Sequence, residues 1–136
     1  MKITILCIGK LREDWLKKGI GEYLKRIERF VNIELKEAES FTDIGEKYDY
    51  TILLDEHGKE LTSHEFSNLL KKLQMTKRNI LFIIGWWEGM DDVLKRKADY
   101  LLSLSKMTFP YQLVRIIFLE QLYRAFTIIK GINYHK

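Results

Sequence analysis

Cysteine and proline each occur once in the 136 residues. A lone Cys7, set inside an apolar run, excludes an internal disulfide and reads as a small buried hydrophobe. One cysteine and three scattered histidines (His57, His64 and His135) lack the spacing of a zinc site, so no metal is expected. No run of apolar residues approaches the ~20 needed to cross a bilayer. The opening MKITILCIGK has too short an apolar core for a signal peptide. The expectation is a cytoplasmic protein with no membrane partner. Also missing are a GxGxxG fingerprint, a Walker loop and a serine in a nucleophile elbow. A dinucleotide site or a P-loop would lack its phosphate cradle. No linker, repeat or low-complexity segment divides the chain, and residues 1–136 read as a single domain.

The composition is that of an ordinary globular protein, 46% hydrophobic and 31% charged. The net charge of +4 permits an RNA partner without requiring one. Apolar patterning gives the elements. Residues 2–8 read as a buried strand ended by Gly9. Residues 13–30 form an amphipathic helix with Trp15, Leu16, Ile20, Tyr23, Leu24, Ile27 and Phe30 on its apolar face. Its cations, Lys17, Lys18, Lys25, Arg26 and Arg29, are either a solvated face or an RNA-facing patch. Residues 31–38 alternate as a strand near a sheet edge does. Residues 39–49 read as loop and 49–55 as a second buried strand, with a turn at His57-Gly58-Lys59. Thr62 and Glu65 have capping-box spacing at the start of a helix running to about residue 75. Residues 79–84 are a strand, 91–98 a short helix and 100–104 the last strand. After Pro110 a long helix runs to about residue 129 and stops at Gly131.

Strands that are nearly continuous in apolar residues and alternate with helices imply an α/β fold: a mostly parallel sheet flanked by helices. Ligands of such sheets sit beyond the carboxyl ends of the strands. Three of those ends carry Leu54-Asp55, Gly85-Trp86-Trp87-Glu88-Gly89 and Ser105-Lys106-Met107-Thr108. Gly85 either ends its strand or lets the backbone approach a ligand closely. Trp86 and Trp87 either stack on a base or cofactor or belong to the core or an interface.

The block Ser103-Leu104-Ser105-Lys106-Met107-Thr108-Phe109-Pro110 continues through Val114-Arg115 and Leu119-Glu120-Gln121-Leu122-Tyr123-Arg124-Ala125-Phe126 to Asn133-Tyr134-His135-Lys136. With the opening MKITILCIGK, it resembles the ribosomal RNA large-subunit methyltransferase H family of the SPOUT class, and the likeness runs along nearly the whole chain. The resemblance implies a C-terminal trefoil knot, a homodimer and S-adenosylmethionine as cofactor. It also implies N3 methylation of a pseudouridine in helix 69 of 23S rRNA in the assembled ribosome. By position it assigns cofactor contacts to Leu54, Gly85, Leu104, Ser105, Lys106, Met107, Thr108 and Phe109. Candidates for the acceptor side are Arg115, Arg124, Tyr134 and His135. For the arginines the other reading is pairing with Glu120 or phosphate, and for Tyr134 it is packing against a dimer partner. His135 is a candidate because imidazole is a side chain suited to proton transfer. The sequence departs from the family at Trp86 and Trp87, at Tyr111 in place of the usual histidine, and in a short 39–49 segment. These departures define the alternative, a non-catalytic knotted protein that binds RNA or the ribosome with impaired cofactor binding.

Overall fold

The computed structural model describes residues 1–39, 47–85 and 92–135. The KITILCI run forms β1 (Lys2–Ile8), with Ile3, Ile5 and Cys7 fully buried. The other elements follow as α1 (Asp14–Ile27), β2 (Asn32–Ala38), β3 (Tyr50–Glu60), α2 (Ser63–Thr76), β4 (Asn79–Ile84), α3 (Asp92–Lys97), β5 (Tyr100–Ser103) and α4 (Tyr111–Lys130). The five strands pair in the order β2-β1-β4-β3-β5, every pair parallel. The apolar strands β1 and β4 sit at the centre, and the alternating β2 lies at one edge, as its pattern implies.

Helices α1, α2 and α4 cover one face. There Ile20 and Ile27 of α1, Phe66 and Leu70 of α2, and Phe118, Leu122 and Phe126 of α4 close over Ile3, Ile5, Ile52 and Phe82. On the other face a smaller cluster gathers Leu53, Leu81 and Ile83 under Leu94 of α3. The capping box at the start of α2 is formed: the Thr62 hydroxyl accepts from the Glu65 N–H at 3.1 Å, and the Glu65 carboxylate accepts from the Thr62 N–H at 2.8 Å.

Two expectations are corrected. Residues 57–59 are not a turn that ends the strand. β3 continues to Glu60, and Leu102 of β5 opposes first Leu54 and then Lys59, so residues 55–58 form a bulge. Gly58 marks a close approach: a Cβ there would lie 2.6 Å from the Leu101 carbonyl carbon. Trp15 does not face the core. It is 62% exposed at the start of α1, because the buried stripe of that helix runs through Leu16, Ile20 and Ile27.

Candidate functional site

At the carboxyl ends of β3, β4 and β5 a solvent-open cleft lies against the start of α4. β3 contributes Leu54, Asp55 and Glu56, and β4 contributes Ile84 and Gly85. From β5 and the loop after it come Leu102, Leu104, Ser105, Met107, Thr108 and Phe109, and α4 adds Tyr111 and Val114. Asp55 and Glu56 belong to the bulged stretch of β3, and the Asp55 carboxylate pairs with Lys95 of α3 at 3.6 Å. The loop is shaped locally: the Ser105 hydroxyl accepts from the Met107 N–H at 3.0 Å, and the Ser103 hydroxyl donates to the Ser105 carbonyl at 3.0 Å. Pro110 then serves as the N-cap of α4, its carbonyl accepting from the Leu113 and Val114 N–H groups.

Seven of the eight residues expected at a cofactor therefore line one cleft. The eighth, Lys106, points elsewhere, with its ammonium 3.7 Å from Glu60. Sequence reasoning places Leu54 at the cofactor and Asp55 only at a strand end, and it misses Glu56, Ile84, Leu102, Tyr111 and Val114 as walls. The bulge in β3 has no signal in the pattern beyond Gly58. Trp86 and Trp87, the departures that raised the alternative reading, lie outside the described residues, as does most of the 39–49 segment.

The four acceptor-side candidates separate into two places. Arg115 is 1% exposed and faces inward. Its guanidinium donates to Glu37 Oε2 at 2.7 Å, to the Ile8 carbonyl at 3.1 Å and to the Gly9 carbonyl at 2.6 Å. It holds α4 on the ends of β1 and β2 and presents nothing to a substrate. Glu37 also accepts from the Leu11 N–H at 2.6 Å. Burial would raise its pKa, but the Leu11 N–H and Arg115 outweigh that and hold it below the usual carboxylate value.

Arg124, Tyr134 and His135 come together on the outer side of α4. Gly131 takes φ +69° as the left-handed cap of the helix, with the Ile132 N–H returning to the Thr127 carbonyl at 2.9 Å. The tail thus folds back. Arg124 donates to Glu120 Oε2 at 2.9 Å through Nη2 and reaches His135 Nδ1 at 3.0 Å through Nη1. The Tyr134 hydroxyl donates to Glu120 Oε2 at 3.0 Å, and its ring lies 4.8 Å from that of Tyr123. The His135 ring meets His64 of α2 edge-on at 4.7 Å. Arg26 lies over the Tyr23 and Tyr123 rings at 5.2 and 5.6 Å, while Lys17 and Lys18 are exposed. Among the described residues no cluster of three His, Cys, Asp or Glu could hold a metal ion, and no helix is long and apolar enough to cross a membrane.

A family model described as a predicted SPOUT methyltransferase matches residues 1–135. The chain is 42% identical over 159 residues to the ribosomal RNA large subunit methyltransferase H of Ruminiclostridium cellulolyticum, covering all of both chains. It is also 42% identical over 139 residues to the protein of that name from Coprothermobacter proteolyticus, again end to end. An alignment of 139 positions leaves that relative no room for a much longer 39–49 segment, so compactness there is not peculiar to this chain. Among solved structures, a probable methylase family protein from Haemophilus influenzae superposes with a TM-score of 0.60 at 11% identity, over 99% of this chain and 70% of that one. That likeness concerns the fold.

Proposed function

The chain belongs to the SPOUT methyltransferase family, and from that premise we propose that it methylates large-subunit ribosomal RNA with S-adenosylmethionine as donor. The resemblance narrows the acceptor to N3 of a pseudouridine in helix 69 of 23S rRNA, in the assembled ribosome of the cytoplasm. The observation that carries the reading is the cleft at the ends of β3, β4 and β5. Its walls fit such a donor: Leu54, Ile84, Leu102, Leu104, Met107, Phe109 and Val114 offer an apolar bed. Ser105 and Thr108 add hydroxyls for polar groups, while the Asp55 carboxylate at the rim is already paired with Lys95 at 3.6 Å.

Held by these walls, the donor would supply an electrophilic methyl group on a sulfonium, leaving as a neutral thioether, and the N3 proton of the base would pass to water. The protein's part is alignment and exclusion of water. Leu104, Met107 and Phe109 wall the cleft from one side, and Leu54 and Ile84 from the other. Arg124, Tyr134 and His135 serve the acceptor base, and the exposed Lys17, Lys18 and Lys106 serve the RNA backbone. A homodimer supplies the surface that one small subunit lacks, with cofactor held by one subunit and RNA by the other.

Calorimetric titration with S-adenosylmethionine and with adenosylhomocysteine tests the cofactor, and methyl incorporation into ribosomes lacking the modification tests the activity. Micromolar binding and methylated 23S rRNA are expected. Absence of heat at millimolar ligand would overturn the reading and favour the protein that binds RNA without catalysis.

A further inference from the structure

Glu120 is the meeting point of the outer side of α4. Its side chain is 22% exposed. Its two oxygens accept from Arg124 Nε at 3.3 and 3.2 Å, from Arg124 Nη2 at 2.9 Å, from the Tyr134 hydroxyl at 3.0 Å and from Gln121 Nε2 at 3.0 Å. Gln121 is itself held by the Ser63 hydroxyl at 2.7 Å. One carboxylate thus fixes Arg124 in a single pose and ties the tail to the helix. Arg124 passes that order on through Nη1, 3.0 Å from His135 Nδ1.

An arginine side chain has donors only. The contact therefore makes Nδ1 of His135 the acceptor and leaves the ring hydrogen on Nε2. The Tyr134 hydroxyl is committed as a donor to Glu120, and burial together with that bond raises its pKa, so it stays protonated. Neither side chain is arranged to take a proton through these atoms.

Building on the methyltransferase reading above, we propose that Glu120 is a positioning residue for the reaction: through Arg124 it fixes His135 as a hydrogen-bond donor at Nε2. The acceptor nitrogen of a uracil-type base is flanked by two carbonyl oxygens. Negative charge gathers on them as the N–H proton leaves to water, and an oriented N–H there stabilises it. The groups facing this cluster are Arg124 and Glu120 of α4, His64 of α2 and Tyr134 of the tail. Tyr23 and Arg26 of α1 border its tyrosines.

Nitrogen NMR of the histidine-labelled protein reads the tautomer directly and needs no substrate; His135→Gln assigns the signal. The wild type is expected to show His135 with hydrogen on Nε2, and Arg124→Gln and Glu120→Gln are expected to lose that bias. A ring protonated on Nδ1 in the wild type would overturn the proposal whatever the activity. Kinetics give the second arm. Glutamine at 135 keeps a donor but has no titrating group, so His135→Gln is expected to lose no more than about tenfold in kcat with an unchanged pH profile. A loss of about 10²–10⁴-fold, the usual contribution of a general base, would refute the donor role. Glu120→Gln is expected to lower kcat while the Kd for S-adenosylmethionine and the melting temperature hold, with partial rescue by Glu120→Asp. A fall in melting temperature that matches the fall in kcat, without a change of tautomer, would reduce Glu120 to a structural anchor. If the wild type methylates no ribosome, the functional reading fails while the NMR result still decides the geometry.

Discussion

Arg115 is the largest fully buried side chain among the described residues, and its charge is answered by one carboxylate and two carbonyls. Replacing it with methionine keeps much of the volume but strands Glu37. Glu37 is 39% exposed, so the cost belongs at the low end for a broken buried pair, about 3 kcal/mol by urea denaturation. The pH dependence has a definite sign. Glu37 has a lowered folded pKa, so its contribution is full above the ordinary value of 4.5 and fades as pH falls through the lowered one. The margin of the wild type over Arg115→Met is therefore expected to shrink below about pH 4.5 and hold at pH 7. Cys7 lies near the same pair. Burial pushes its thiol up to about 12, with Arg115 opposing and Glu37 reinforcing. A thiolate-selective reagent is expected to modify the native protein only at the rate at which it unfolds, and rapid labelling at pH 8 would contradict the burial.

At the scale of elements, the bulge in β3 shapes the cleft, and Gly58 makes it possible. Gly58→Ala places a methyl against the Leu101 backbone, which has no flexible end to yield. A loss of about 1–3 kcal/mol is expected, and S-adenosylmethionine affinity should fall with it, because Leu54, Asp55 and Glu56 move together. Thr62→Ala removes half of the capping box and is expected to cost about 1 kcal/mol in thermal unfolding without touching cofactor affinity.

These two sites also show what could be read from sequence. The capping box is a local affair of four residues and was legible as spacing. The bulge depends on β5, which pairs with β3 some forty positions later in the chain, and so Gly58 looked like a turn. The same holds for side-chain direction. Arg115 and Arg124 sit on one helix with similar surroundings in sequence, yet the first points at Gly9 and the second at the tail. Only the contact with β1 and β2 decides between them. The strand ends that form the cleft were legible because parallel sheets place their sites there, whereas the exposure of Trp15 was not.

The whole molecule is expected to work as a pair of chains sharing their sites. In mixed dimers with Arg124→Ala in one subunit and an obstructed cofactor loop in the other, roughly half of the composite sites should survive. Uniform loss or full activity would count against shared sites. Within one chain, the first and last quarters are tied together. Arg115 binds the carbonyls of Ile8 and Gly9, and the Gln112 side chain accepts from the Arg12 N–H and donates to the Lys10 carbonyl. During synthesis, β1 emerges ahead of the elements that pack on it, and the arginine that fills the space beside it is made more than a hundred residues later. The nascent chain must wait with its opening strand half dressed until α4 has left the exit tunnel, so a translational stall late in the message would hold open the very core that the finished helix seals.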